Sequence, residues 1–255
     1  MTKSNNWTKE ETIVAFNVYC KIPFKSSSKT NPAIIKYANI IGRSPSALNM
    51  KVGNFGRLDP ELRKQGIVGL GNGSKLDEIV WNEFNGNWEK LAYESELLIA
   101  EFQNKKIEET IEMNIFEFPL GIERETLIKQ RVNQSFFRST ILSSYNLKCC
   151  ITGLSISEFL VASHIKPWKV DEINRLNPHN GLCLNSIHDK AFDKGFITIT
   201  PDYNIKVSKY FDDFNNDQAV ASFFLKHDNQ PINLPDRFLP SKEFLDWHYT
   251  NLFIK

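Results

Sequence analysis

Residues 149–198 read CCITGLSISEFLVASHIKPWKVDEINRLNPHNGLCLNSIHDKAFDKGFIT, and the order of apolar runs and turn signals within them decides the fold. Phe159 to Ile165 form a strand, ended by the Lys166-Pro167 step because proline cannot donate to a sheet ladder. A polar loop leads to the turn pair Asn180-Gly181, after which Leu182-Cys183-Leu184 make a second short strand. Asn185-Ser186 can cap a helix beginning at Ile187, which puts His188 and Asp189 in its first turn. Strand, loop, strand and helix thus bring a hairpin and a helix start to one point. The stretch also holds three of the chain's five histidines and three of its four cysteines.

The residue types fit one chemistry. Hydrolysis of a phosphodiester needs water deprotonated near neutral pH, and a neutral imidazole has the right pKa. The departing 3′ oxygen and the crowded phosphate charge call for a divalent cation as Lewis acid. Taken singly, His164 reads as a core histidine, Asn180-Gly181 as a turn, His188 as a helix-start residue and His179 as a loop residue. Their conjunction changes the reading.

The phrases Arg131…Gln134…Phe137-Arg138, Cys150-Ile151-Thr152-Gly153, Ala162 to Trp168, Asn180-Gly181-Leu182 and His188 to Gly195 resemble a branch of the His-Asn-His (HNH) endonucleases, of ββα-metal fold, associated with restriction systems. The resemblance covers roughly residues 131–208. It implies His164 as general base, with Asn180 holding the base's ring through its amide. His188 or Asp189 is the first choice as metal ligand, and Ser163 stands where the family commonly places an Asp or His ligand. Serine is a poor cation ligand. Either the shell keeps much water, as magnesium tolerates, or Asp189 or Asp193 completes it. Mg²⁺ is the expected ion, with Mn²⁺ able to substitute. Many relatives carry two Cys-x-x-Cys pairs, but Cys150 here is followed by Thr152-Gly153, so a four-cysteine structural zinc is not expected. Cys149, Cys150 and Cys183 are expected to be buried, inert thiols.

The whole chain sets the frame. Its 255 residues suit two domains, and 41% hydrophobic with 24% charged residues is ordinary for a globular protein with a proper core. There is no run of about 18 apolar residues, so no membrane span is expected. The N-terminus MTKSNNWTKEE lacks a signal peptide's apolar core, which predicts a cytoplasmic protein. The net charge of +1 averages over segments of opposite sign. Residues 1–75 carry 12 Lys and Arg against 4 Asp and Glu, and residues 76–120 carry 3 against 11. The motif segment, 121–210, is again basic, with 12 against 8. Basic segments attract a polyanion, although alternating helix faces would give the same pattern.

Before the motif, helical signals dominate. Thr8 and Glu11 make a capping box for a helix that ends before Pro23. A second helix starts near Asn31-Pro32 and closes at Gly42, and a third starts at Ser44-Pro45. Three short helices with an early Trp resemble Myb-like helix-turn-helix modules. That resemblance implies phosphate or base contacts by Arg43, Ser46, Asn49 and Lys51 on an outward face; a plain three-helix scaffold is the equal alternative. Residues 56–75 read as loop. The glycine-rich run from Gly69 to Ser74 lacks the Gly-Lys-Ser/Thr ending of a phosphate-binding loop. Leu76 to about Met113 is helical, broken or not at Asn85-Gly86-Asn87, with Ile79, Trp81, Trp88 and Leu97 among the expected core. Residues 123–145 form a helix with an apolar stripe at Ile128, Val132, Phe136, Ile141 and Leu142. On it Arg131 and Arg138, two turns apart, could share a phosphate-facing side. Lys166 is a further candidate DNA contact. A C-terminal helix is expected to pack Phe244 and Trp247 on the nuclease core.

The fold expected is α+β: a helical domain over 1–104, a charged connector over 105–120 and a nuclease domain over 121–255. The function expected is metal-dependent cleavage of double-stranded DNA by a homodimeric restriction endonuclease. Two rivals stay open: a DNA-binding protein with a degenerate HNH site, and a nonspecific or RNA-directed toxin nuclease.

Overall fold

The computed structural model describes residues 6–67, 73–111 and 122–255, the side chains of residues 122 and 123 excepted. The chain divides into two compact units, Met1–Ser143 and Ser144–Lys255.

The first unit is helical: α1 (Lys9–Lys21), α2 (Pro32–Ile41), α3 (Pro45–Leu58), α4 (Pro60–Lys64), α5 (Lys75–Phe84), α6 (Trp88–Phe102), α7 (Ile107–Thr110) and α8 (Ile122–Ser144). The expected capping box opens α1. Glu11 N–H donates to Thr8 Oγ1 at 3.2 Å, and Thr8 N–H donates back to the Glu11 carboxylate at 3.1 Å. Every residue from Glu11 to Cys20 is buried, so α1 is the axis around which α2, α3, α5 and α6 pack. Phe16 lies at its centre, with ring centroids 4.7 Å from Phe55 and 5.2 Å from Trp81. Aromatic pairs at such distances add to simple burial. Gly42 ends α2 in the left-handed conformation, φ 65°, which glycine adopts without a Cβ clash.

Several expectations change here. Residues 60–64 form a short helix where loop was expected, because Asp59 Oδ1 accepts from Glu61 N–H and Leu62 N–H and Pro60 takes the first helical position. Residues 68–72 of the glycine-rich run lie outside the described residues. The stretch after Leu76 is two helices, α5 and α6, with the turn at residues 85–87. Ile79 and Leu97, expected in the core, are 47% and 42% exposed, while Ile99 and Ala100 are buried. The helix α8 carries the expected stripe, with Ile128, Val132, Phe136, Ile141 and Leu142 all buried. It belongs to the first unit, whereas the sequence reading opened the nuclease domain with it.

The second unit holds β1 (Leu160–His164), β2 (Gly181–Asn185), α9 (Ser186–Asp193), β3 (Ile197–Ile199), β4 (Ile205–Val207), α10 (Gln218–Phe223) and α11 (Lys242–Asn251). β1 and β2 pair antiparallel with Ser163 opposite Leu182 and His164 opposite Gly181. β3 and β4 form a second hairpin, with Ile199 opposite Ile205. Strand, loop, strand and helix follow in the expected order. Gly195 turns the chain out of α9 at φ 74°, and a Cβ built there would meet the Leu252 carbonyl oxygen at 2.0 Å. That close approach lets Ile254 N–H reach the Gly195 carbonyl at 2.9 Å, fastening the segment after α11 to the end of α9. Among the described residues, no helix is long and apolar enough to cross a membrane.

Candidate active site

His164 ends β1, where the strand hands over to a loop that returns to Asn180. Its Nε2–H donates to the Arg175 carbonyl at 2.9 Å, which assigns the lone pair of the neutral ring to Nδ1. Burial pushes its pKa below the usual histidine value, and the Arg175 bond offsets part of that. The ring is therefore held in one orientation and kept neutral, the two properties a general base needs.

Asn180 is fully buried. Its Oδ1 accepts from Lys166 N–H at 2.8 Å, and its Nδ2 donates to the carbonyls of Lys166 at 3.1 Å and Asn174 at 3.3 Å. Its amide thus holds both ends of the loop, and the expected contact with the base's ring is replaced by an indirect one. The carbonyl it grips at Asn174 immediately precedes Arg175, whose own carbonyl holds His164. Two carbonyls and an amide N–H in the loop match the two donors and the acceptor of the Asn180 carboxamide.

The metal candidates separate into two groups. Asn185 caps α9, its Oδ1 accepting from Ile187 N–H at 3.1 Å and His188 N–H at 2.9 Å. With the oxygen so committed, its Nδ2 must donate to His188 Nδ1 at 2.8 Å, which leaves the ring proton on Nε2, donated to the Phe223 carbonyl at 2.7 Å. Both nitrogens of His188 are occupied, and the ring is buried. His188, expected as a first-choice ligand together with Asp189, is here engaged by Asn185 and by the Phe223 carbonyl and braces the helix start.

Asp189, the other first choice, stands differently. Burial raises its pKa, with Ser163 and Lys190 pulling it partly back. Asp193, one turn along, is likewise raised by burial and by the charge of Asp189. Ser163 Oγ lies 3% exposed in the residue's buried setting and has no hydrogen-bond partner; its contact with the Asp189 carboxylate falls short of a well-formed bond. Two carboxylates whose burial disfavours ionisation, with an unsatisfied hydroxyl beside Asp189, make an oxygen-rich site suited to a hard cation. Among the described residues, no three His, Cys, Asp or Glu side chains converge on a metal position, so protein would supply few of its ligands.

The cysteines are all free and buried. Burial pushes Cys150 well above the ordinary thiol value, with the neighbouring Cys149 and Cys183 adding to it. Cys149 departs from the inert thiol expected. Burial pushes it up, but the neighbouring His188 and Thr152 side chains and the backbone at Thr152 and Ile151 bring it down to about 7. No local sequence signal carries this, because His188 lies 39 positions away.

The DNA-contact candidates also divide. Lys51, read as outward, is 4% exposed, with Nζ 2.5 Å from the fully buried Asp77 and 4.7 Å from the Trp7 ring centroid. Arg43 grips the buried Glu11 at 2.6 Å and lies 5.1 Å from the same Trp7 ring. Both are corrected to structural roles. Asn49 is half-buried and accepts from Ser27 Oγ at 2.7 Å, and Ser46 is exposed. Lys166 pairs with Asp171 at 3.0 Å and lies between Phe244 and Trp247, 5.4 and 5.6 Å from their centroids. Arg131 and Arg138 are exposed and, with Lys21 and Lys36, line one cleft of about 720 Å³ in the first unit.

No curated protein matches the chain. A family model described as HNH endonuclease matches residues 149–200, inside the 131–208 of the sequence resemblance and wholly within the second unit. The hairpin, the helix and the residues gathered between them are accordingly an HNH endonuclease domain, a nuclease module carried in the C-terminal half of the chain.

Proposed function

We infer that the chain is a divalent-metal-dependent endonuclease acting on duplex DNA, in the manner of a restriction enzyme. The observation that supports this best is the pairing of a tethered, neutral His164 with the Asp189, Asp193 and Ser163 oxygens on neighbouring elements. HNH nucleases generally use a divalent metal. The oxygen donors fit Mg²⁺ or Mn²⁺ and suit a soft ion such as zinc less. When bound, the ion would neutralise charge on the scissile phosphate and the departing oxygen. Asp189 would be the principal ligand, with Asp193 and Ser163 as the further oxygen donors.

His164 takes the proton of the attacking water at Nδ1, while Nε2–H stays on the Arg175 carbonyl and steadies the imidazolium that forms. Asn180 positions that carbonyl through the loop. Arg131 and Arg138 contact phosphates, positioning the duplex without reading its sequence. Asn49 and Ser46 remain candidate contacts, and Lys166 serves the loop. One site per chain and two strands to cut make a homodimer the economical assembly on a symmetric target.

Plasmid nicking and linearisation with Mg²⁺ or Mn²⁺ test the reading. EDTA should abolish cleavage, and His164→Ala should reduce it at least about a hundredfold. Retained activity in His164→Ala would overturn the base assignment. Firm binding without cleavage under any divalent ion would mark a degenerate site, and a smear from genomic DNA in place of discrete fragments would mark a nonspecific nuclease.

A further inference from the structure

Away from the β1–β2 hairpin, the second unit carries a cleft of about 650 Å³ lined by Lys206 of β4, Ser208 and Lys209 just after it, and Tyr249, Phe253 and Lys255 at and beyond the end of α11. Lys255 Nζ lies 5.3 Å from the centroid of the Tyr249 ring, which stacks on Phe253 at 5.5 Å. Lys206 Nζ donates to the Asn229 amide oxygen. Among the described residues none of these three lysines is paired with a carboxylate, in contrast to Lys166, Arg175 and Lys242, which meet Asp171, Glu172 and Asp202. Two carboxylates do line the cleft. Asp228 is committed to Val207 N–H at 2.9 Å and to the Asn229 amide, whereas Asp212 is exposed.

The cleft adjoins the end of α9. Ser208 N–H donates to the Phe196 carbonyl and Ile254 N–H to the Gly195 carbonyl, both at 2.9 Å, so its two walls are tied to the residues that leave the helix just after Asp193. Chain geometry then keeps the lining lysines within about 15 Å of Asp193, which at a rise of about 3.4 Å per base pair is a span of about four base pairs. A concave surface that gathers three ammonium groups without carboxylate partners suits a polyanion, and lysine, a point charge with rotatable donors, meets a phosphate oxygen in any register. We propose that the cleft of Lys206, Lys209 and Lys255 holds the phosphodiester backbone beside the cut, so that the nuclease unit grips its substrate with lysines of its own. The proposal rests on the reading of the chain as a DNA endonuclease. Asp212 opposes the grip and limits its strength.

The test measures binding of the full-length protein to a fluorescent 30-base-pair duplex, with Ca²⁺ in place of Mg²⁺, across a series of salt concentrations. Phosphate contacts carry no sequence information, so a duplex of arbitrary sequence serves. Lys209→Ala should lower the slope of log Kd against log salt by about 0.9, and the triple variant Lys206→Ala, Lys209→Ala, Lys255→Ala should lower it by about 2 to 3 with an affinity loss of roughly a hundredfold. Asp212→Asn should bind roughly two- to threefold tighter, since it removes a like charge from the path of the backbone. A misfolded variant cannot produce that gain. With Mg²⁺, the triple variant should raise KM while kcat stays within about twofold. Lys242→Ala, which removes a lysine of the same unit outside the cleft, should leave the slope unchanged. An unchanged slope in the triple variant, no gain in Asp212→Asn, or an equal loss in Lys242→Ala would overturn the proposal. So would full competition by millimolar deoxyadenosine monophosphate, which would make the cleft a mononucleotide site. If the lysine variants lose affinity as expected but the unaltered protein cleaves with no divalent ion, the lysine grip stands and the nuclease reading fails.

Discussion

The two units treat buried charge in opposite ways. In the first, Lys51 meets Asp77 and Arg43 meets Glu11, each pair matched inside the helical packing. In the second, burial raises the pKa of both Asp189 and Asp193, one turn apart on α9, the charge of Asp189 raises Asp193 further, and the Ser163 oxygen beside Asp189 is unsatisfied. A buried charge with its partner in place is architecture, because removing either member strands the other. A partly buried carboxylate whose fold penalises its charge is held for something that the chain itself does not supply. The contrast extends to Lys51, Arg43 and Lys166, which the sequence resemblances place as DNA contacts. Each is already spent on an internal carboxylate.

Three stability measurements probe that contrast. The largest effect should come from Asp77→Ala, which leaves the Lys51 ammonium buried without its carboxylate; urea unfolding should show a loss of about 3–5 kcal/mol. An intermediate effect belongs to His248 on α11, whose ring stacks on Phe192 at 3.7 Å and hydrogen-bonds to Thr198 and the Phe192 carbonyl. Burial lowers its pKa from 6.5 to about 4, against a smaller opposing contribution from the Phe192 bond. The folded state thus resists a proton that the unfolded state accepts. Its contribution is fully present above pH 6.5 and is lost as the pH falls from there to about 4, amounting to roughly 3 kcal/mol. In His248→Gln the fall of the melting temperature between pH 7 and 4 should be shallower. The smallest effect should come from Asp189→Asn. Because burial raises this carboxyl's pKa, its charge is less favourable in the folded than in the unfolded chain, and the neutral amide should leave the melting temperature unchanged or higher while cleavage is lost. Destabilisation comparable to Asp77→Ala would make Asp189 a structural residue and break the contrast.

What could be read in the sequence follows the range of the interactions. The capping box of α1, the stripe on α8, the strand stopped at Lys166-Pro167 and the Asn185 cap all depend on residues within a turn or two of one another, and each is found. The core phase of α5 and α6 was harder, since apolar residues crowd both faces: α5 buries Val80, Trp81 and Phe84 and leaves Ile79 outward, and α6 buries Leu91, Ile99 and Ala100 and leaves Leu97 outward. Partners distant in sequence were beyond reach: Lys51 finds Asp77 26 positions on, and His188 finds Phe223 35 positions on. Periodicity shows that a residue faces inward or outward, but not which charge waits across the packing. At the site, the places of His164 on the first strand and of Asp189 at the helix start were legible from their order in the chain. The engagement of His188 by Asn185 was not, because it turns on which way the Asn185 amide points.

The clasp between Gly195 and Leu252 bears on how much of the chain the nuclease needs. Residues 149–200 contain the whole ββα motif, yet Phe192 and Thr198 hydrogen-bond to His248, Gly195 to Ile254, His188 to Phe223 and the Cys150 carbonyl to Asn233. The motif borrows its closure from the 60 residues of its own unit that flank it. Grafted into another protein as a cassette, the motif alone would carry the reacting groups without the framework that holds them still. The smallest transplantable nuclease is therefore the unit as a whole, out to the turn that follows α11.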